Sequence, residues 1–572
     1  MKRPCFIINQ PCKKIKTFAI ISTLVFTGED FFLKNFFIFV ILTAMTTFFS
    51  VFGMYVAEVT DVFQLQKKIT GPKFSEEDGE TFLSWTNLNY PCVYKVETYS
   101  KTTGLVKNSP PYHLLNAEEI SESKYKVPHA GIPTYYKISA RGIFQEIFSS
   151  KNFIANPNYP TPPHPVSIYH YPKENPASLM PFLVWHKVPD AVCYEVEILS
   201  APPEIEGGTS LSKYFHLDST RKIFTNGYQA DLRQYKNYDY VYWRARALTL
   251  HQEPIGEFSR AEKIYLDKDK IMPDCPIINN FDFMAYIPLP IYPVYDWIPL
   301  NGAKKYEVEL LNHPPKVEND IEPSPDSLWR QTTLDMSSCY DEYARPYAGP
   351  YYWRVRALDE NDKPIGRWSN SEKFVVADYS KGVEYAVLGD SISHGGGAMS
   401  YSPRALEYSW ESYLDFPAVN LSRSGDISST TLARFEKDVL PFKPKNLIIL
   451  TGTNSMRAEN ISAETVISDL EKIGTLCREN NIKPIFLTLM PINPKNIRYA
   501  FRTPTDPLWH EKLKQVNDFI KSQDYYVDLE PYFYDRQGNM DENFSIDGIH
   551  PDLRGKMLMA EIVNKDKALK KF

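Results

Sequence analysis

Ser391, Asp547 and His550 offer a hydroxyl, a carboxylate and an imidazole. Asp547-Gly548-Ile549-His550-Pro551 sets a carboxylate and an imidazole three positions apart, so one turn of chain can present both. Far upstream, Gly389-Asp390-Ser391 offers a hydroxyl. A serine hydroxyl is a poor nucleophile until an imidazole takes its proton, and the imidazole needs a carboxylate to fix its tautomer and stabilise the cation that forms. Ser391 is therefore the candidate nucleophile, His550 its base and Asp547 the group that orients the base. Attack on an acyl carbon puts charge on the carbonyl oxygen, which calls for fixed donors. Gly425, in Asn420-Leu421-Ser422-Arg423-Ser424-Gly425-Asp426, can bring a backbone N–H close without a side chain intervening. Asn454, in Gly452-Thr453-Asn454, can donate from its amide, and the N–H of Ser391 makes a third donor.

These four blocks, in this order, resemble the SGNH or GDSL-type hydrolase family, named for Ser, Gly, Asn and His. The resemblance covers roughly residues 380–572. It implies Ser391 as nucleophile and oxyanion donor, Gly425 and Asn454 as the other donors, and Asp547 with His550 as the rest of a catalytic triad. One departure is Ser455, which follows Asn454 where the family often has Asp, and it bears on the local hydrogen bonding of that loop. The Gly-x-Ser-x-Gly elbow of α/β-hydrolases is absent, since position 393 is Ser and the glycines come at 395–397.

The elements that must hold these residues follow from hydropathy. Apolar runs at Glu384–Gly389, Phe416–Asn420, Asn446–Thr451, Pro484–Leu489 and Tyr525–Leu529 read as buried strands of a parallel sheet. Between them, Glu407–Leu414, Ser429–Val439, Ala463–Asn480, Pro507–Ser522 and Leu553–Asn564 carry apolar residues at helical spacing. The alternation predicts a doubly wound α/β/α domain with Ser391 at the end of its first strand. Ligands of open α/β sheets bind beyond the carboxyl ends of the strands, where these loops fall. The irregular stretch Met490–Thr505 is the candidate substrate-covering loop, with a solvated connector as the alternative reading. From it Arg498 and Tyr499, and from behind the nucleophile His394 as a rim residue, are the candidates for touching substrate.

The middle of the chain repeats. Trp85 precedes Tyr94, Trp185 precedes Tyr194 and Trp297 precedes Tyr306, each by nine positions. Alternating strands follow each tyrosine, and Tyr242–Ala247 and Tyr352–Ala357 match the weaker Tyr135–Ala140. Ile147-Phe148-Ser149, Glu257-Phe258-Ser259 and Arg367-Trp368-Ser369 close the three units. The units resemble fibronectin type III β-sandwiches with inward aromatics and outward charges, the resemblance being looser here. Trp185, Trp243, Trp297 and Trp353 are expected in their cores.

Lys13, Lys14 and Lys16 precede an apolar region in which Phe36–Val56 carries no charge over 21 residues, enough for about 30 Å of helix. The expectation is an uncleaved membrane anchor with the bulk of the chain outside, a cleaved signal peptide and secretion being the rival. A start of translation further downstream is a further alternative. The boundaries expected are an N-terminal segment 1–34, an anchor 35–58, β-sandwich modules at 71–155, 156–270 and 272–378, and the hydrolase domain at 380–572. Seven cysteines, among them Cys5 and Cys12, suggest no paired framework, and Cys477 reads as a small buried residue. A net charge of −6 with mixed signs gives no basic stripe for nucleic acid, and no metal, nucleotide or other cofactor motif is present.

Together these readings predict a membrane-anchored, extracytoplasmic serine esterase whose substrates are O-acyl esters, acetyl foremost, on a glycan. The alternatives are a lipase, thioesterase or acyltransferase of the same type, or a catalytically idle surface-binding protein. The complete set of catalytic residue types argues against the last.

Overall fold

The computed structural model describes residues 39–49, 51–52, 55, 72–77, 80–88, 90–101, 112–128, 134–144, 146–149, 154–156, 163–280, 289–397 and 401–569. The N-terminal segment 1–34 lies outside them. Residues 39–49, 51–52 and 55 are helical. Among the described residues no helix is long and apolar enough to cross a membrane. This corrects the expected anchor over 35–58 and the single-pass membrane location built on it. A charge-free stretch of chain meets the composition a span needs, but crossing a bilayer takes about 20 residues of apolar helix.

Three times along the chain an antiparallel three-stranded sheet accompanies a larger antiparallel sheet. In the second instance Gly227–Gln229, Phe182–His186 and Val166–Ser167 form the small sheet. His216–Ile223, Cys193–Leu199, Tyr240–Leu248 and Pro254–Ile255 form the large one, with Glu262–Tyr265 also on Tyr240–Leu248. The third instance repeats this pairing, with Val294–Ile298 central to the small sheet and Lys305–Leu311 beside Gly349–Leu358 in the large one. The nine-residue spacing has an atomic meaning in all three. Each Trp ring meets its Tyr ring at 5.0–5.2 Å. Each Tyr hydroxyl accepts the N–H of the residue three after the Trp: Leu88, Val188 and Leu300. Trp185, Trp243, Trp297 and Trp353 are all buried in the cores between sheets.

The charges on these strands do not face water as expected. Glu197 with Arg244, and Glu309 with Arg354, are buried ion pairs with Nε–O distances of 2.7 Å. Arg244 and Arg246 lie under the ring of Phe258, and Arg354 and Arg356 under that of Trp368. The closing motif of the second and third units is thus a ring laid over paired guanidinium groups, and it removes from solvent a row that alternation alone would expose.

The last part of the chain is a parallel sheet flanked by helices. Its strands are β1 (Val383–Gly389), β2 (Val419–Asn420), β3 (Pro444–Leu450), β4 (Lys483–Leu487) and β5 (Tyr526–Val527), in the order β2-β1-β3-β4-β5. Ala386, Val387, Leu447 and Ile448 are wholly buried, as strands covered on both faces require. Ser428–Ala433, Ala463–Glu479 and Trp509–Lys521 pack side by side, while Leu553–Lys565 packs with the turn at Trp410–Tyr413. Chain order reverses at β1, which opens a crevice between the carboxyl ends of β1 and β3.

Candidate active site

Ser391 stands directly beyond β1, opening a short helix, Ser391–His394, capped by Asp390, whose carboxylate accepts the N–H of Ile392 at 3.0 Å. Gly389 is needed at the end of the strand, because a Cβ there would lie 2.3 Å from the carbonyl oxygen of Leu450 on β3. Lys556, fully buried on the helix Leu553–Lys565, donates to the carbonyl of Ile392 at 2.5 Å, and burial pushes its pKa down to about 8. Asp390 is equally buried and its carboxyl is pushed up to about 6 by burial.

The loop before that last helix brings the other two groups to the serine. His550 Nδ1 lies 2.8 Å from Asp547 Oδ2, and His550 Nε2 lies 2.9 Å from Ser391 Oγ. An ionised carboxylate only accepts, so Nδ1 carries the proton and Nε2 is free to accept from the serine hydroxyl. Asp547 is 1 % exposed. Burial would raise its pKa, yet the His550 ring and the N–H groups of Ile549 and His550, both on Oδ1, hold it below the usual carboxylate range. The chain of bonds from carboxylate to hydroxyl is thus continuous, and it can move a proton off Ser391 as the oxygen attacks.

Gly425 lies in the loop after β2 with φ of +85°, a conformation that disfavours any side chain even though space for a Cβ is open there. Asn454 lies in the turn of helix Thr453–Met456 after β3. Its Nδ2 donates to the carbonyl of Asp426 at 3.0 Å, while Arg457 Nε approaches its Oδ1 at 3.4 Å. The second amide hydrogen is not needed by either contact. Ser455 accepts from the N–H of Ser428 at 2.9 Å and sits beside the Ser428–Asp469 hydrogen bond, so it ties the Asn454 turn to the next helix. Beneath these loops Arg434 binds four partners at once. Its guanidinium binds Asp426, Asp438 and the carbonyls of Leu421 and Gly389.

Ser391, Gly425, Asn454, Asp547 and His550 all line one cavity of about 350 Å³, together with Tyr340, Gly395, Gly397, Tyr401, Ser424, Arg457, Phe501 and Ile549. All five residues expected from sequence therefore meet at one place. The three substrate-contact candidates do not. His394 is buried rather than on the rim. Its Nδ1 accepts from the N–H of Ser424 at 3.1 Å, and its Nε2 donates to the carbonyl of Tyr292 at 2.7 Å. Burial pushes its pKa down to about 4, so the ring is a neutral strut under the Gly425 loop. Met490–Thr505 is not an irregular cover. It contains the helix Pro494–Phe501, capped by Asn493, and Tyr499 packs on His251 of the second antiparallel unit with rings 4.8 Å apart. Neither Arg498, which is exposed, nor Tyr499 lines the cavity; Phe501 does. Sequence reading missed Arg457, one helical turn beyond Asn454, and Tyr340, which arrives from the third antiparallel unit. The first carried the signal of its spacing; the second carried none.

Residues 387–558 match the model of the GDSL-like Lipase/Acylhydrolase family. No curated protein matches the chain. Among solved structures, a lipase/acylhydrolase from Enterococcus faecalis is similar at 21 % identity over 33 % of this chain and 95 % of that one, with a TM-score of 0.27. A GDSL-like lipase from Bacteroides thetaiotaomicron is similar at 19 % identity over 32 % and 87 %, with a TM-score of 0.25. An acetyl xylan esterase is similar at 17 % identity over 32 % and 96 %, again with a TM-score of 0.25. Likenesses of this size decide nothing about substrate. With the family match, the C-terminal domain is a GDSL-type hydrolase domain and the protein is an enzyme of the serine ester hydrolase type.

Proposed function

We propose that the protein is a serine esterase in which Ser391 is the nucleophile, His550 its general base and acid, and Asp547 the carboxylate that fixes the imidazole. The observation that carries this is the unbroken Asp547–His550–Ser391 hydrogen-bond chain opening on one cavity. Ser391 Oγ attacks the ester carbonyl carbon as its proton passes to His550 Nε2. The oxyanion is held by the N–H groups of Ser391 and Gly425 and the amide of Asn454. His550 then returns the proton to the departing alcohol oxygen, leaving an acyl-serine. Water attacks the acyl carbon, gives its proton to His550, and the acid leaves as the serine is restored.

The substrate reading is an O-acyl ester, acetyl foremost, carried on a carbohydrate. A cavity of about 350 Å³ stands near the lower end of the range for small-molecule sites, roughly 300–1,000 Å³, which supports a short acyl group. The paired antiparallel sheets, read as fibronectin type III-like modules over 71–155, 156–270 and 272–378, hold the hydrolase domain of 380–572 and wall one side of its cavity through Tyr340. Turnover of p-nitrophenyl acetate by the full chain, compared with Ser391→Ala, tests the enzyme reading. Loss of activity in the variant is the expected result, and equal rates would overturn it.

A further inference from the structure

A second cavity, of about 140 Å³, adjoins the catalytic one and shares two of its lining residues, Tyr340 and Tyr401. It is built mostly by the antiparallel units. Phe224, Thr225 and Asn226 come from the second, and Asn279, Asp296, Trp297, Ser337 and Ser338 from the third. Its chemistry differs from that of the catalytic pocket. Rings alternate with amides and hydroxyls, and the carboxylates are already committed. Asp296 is bound by Arg404 at 3.0 Å, and Asp335 accepts from the N–H groups of Ser337 and Ser338.

Two of its buried polar atoms have no partner in the protein. Asn226 and Asn279 are 1 % and 8 % exposed; each spends its Nδ2 on a protein acceptor, and neither Oδ1 receives a protein hydrogen bond. A buried polar atom left unpaired costs about 1–3 kcal/mol, so such atoms around one cavity mark a place where a ligand's own donors and acceptors are wanted. Phe224 and Tyr340, about two-fifths exposed, present rings beside them.

We propose that this cavity is a carrier subsite for a neutral, hydroxyl-rich chain, an oligosaccharide, one of whose residues sits here while its acylated neighbour reaches Ser391. The hydroxyls of a sugar can donate to the amide oxygens, and its C–H faces pack on rings. Lys187 is the one cation in this lining, its ammonium 5.8 Å from the centroid of the Tyr401 ring, and beside Asp296 and Asp335 it makes no cationic cluster for a phosphate-bearing or acidic carrier, while an alkyl chain would strand the amides. Tyr340 stands at the passage between the two cavities, with its ring edge toward His394 at 6.0 Å. The proposal rests on the esterase reading for the position of the acyl group, but binding of the carrier can be measured without turnover.

The test uses the full chain carrying Ser391→Ala, titrated calorimetrically with unacylated xylo-, manno-, gluco- and galacto-hexasaccharides. The expected result is saturable binding of at least one of them, weakened at least tenfold by Phe224→Ala and by Ser337→Trp, which fills the cavity. Binding of none, or binding that both changes leave intact, overturns the proposal. In the active background, the same two changes should leave kcat/KM for p-nitrophenyl acetate within about twofold and lower it at least tenfold, through KM, for the acetylated form of the bound hexasaccharide. An equal loss on both substrates would also overturn the subsite. Failure of p-nitrophenyl acetate turnover with hexasaccharide binding retained would instead remove the esterase reading and leave the subsite standing.

Discussion

Asp547→Asn is the sharpest perturbation of the site, because the surrounding bonds dictate how the new amide must sit. Oδ1 of Asp547 accepts the N–H of Ile549 at 2.9 Å and that of His550 at 2.8 Å, while Oδ2 faces His550 Nδ1. The amide of asparagine can place its oxygen at only one of these positions. Turning NH₂ toward the two backbone donors would leave both unsatisfied in a buried site, at about 1–3 kcal/mol each. The alternative keeps those bonds and points NH₂ at Nδ1, which must then give up its proton. The proton moves to Nε2, and the imidazole becomes a donor toward Ser391, unable to act as base. The second arrangement wins by roughly 2–6 kcal/mol, so the variant folds with the wrong tautomer. A carboxylate-to-amide change of this kind lowers kcat by about 10⁴-fold, or about 5 kcal/mol of transition-state stabilisation. The assay is p-nitrophenyl acetate hydrolysis at neutral pH, with circular dichroism to establish that the fold is retained. A well-folded Asp547→Asn protein within tenfold of the parent rate would refute the assignment of Asp547 as the orienting carboxylate.

Asn454→Ala should lower kcat by about 10²- to 10³-fold with little change in stability, since one oxyanion donor is worth roughly 3–4 kcal/mol; a near-normal kcat would make Asn454 structural only. Arg434→Met strips the partner from two buried carboxylates, Asp426 and Asp438, and should destabilise the domain by about 3–5 kcal/mol in urea unfolding. Arg434→Lys should recover little, because an ammonium cannot reach all four of its partners, and full recovery would show that charge alone suffices. His394, held near 4 against an ordinary value of 6.5, binds fewer protons folded than unfolded between those pH values. Its contribution is complete above pH 6.5 and is lost as pH falls toward 4, on the order of 3 kcal/mol in all. Asp390, pushed up to about 6, works in the opposite sense, so the comparison must be made against His394→Gln. The parent should lose more stability than that variant between pH 7.5 and 4.5, and parallel losses would contradict the strut role.

The catalytic sheet was legible because its central strands are buried on both faces and so read as unbroken apolar runs, the first three ending in the loops that carry Ser391, Gly425 and Asn454. Elements whose polar residues are buried were not. Glu407–Leu414 has helical spacing, yet it forms two short turns, Leu406–Tyr408 and Trp410–Tyr413, because Glu407, Ser409, Glu411 and Ser412 all go inward with the aromatics. The pattern over Ser429–Val439 breaks into Ser428–Ala433 and Phe435–Asp438 at Arg434, the residue that turns under the site. Lys556, inside the helical pattern Leu553–Asn564, is fully buried. In each case the deciding partner lies far away in the chain, where no local periodicity can announce it.

The strand-leading segment of the third antiparallel unit has a practical consequence for anyone trimming this polypeptide. Ile291 donates its N–H to the carbonyl of Asn420 at the tip of β2, Tyr292 gives its hydroxyl to Asp438, and the Tyr292 carbonyl takes the proton of His394. A clone begun at residue 380 would encode every group of the triad and still lack the acceptor that keeps the oxyanion-side loop upright. Its imidazole would hold an idle donor in a dry interior, and the excised fragment should express poorly or arrive with a slack loop. Nor does a cut between the second and third units suffice, because the carbonyl of Val188 accepts the Tyr401 hydroxyl and the N–H of Asp190 donates to the hydroxyl of Tyr408, so a minimal hydrolase keeps both units.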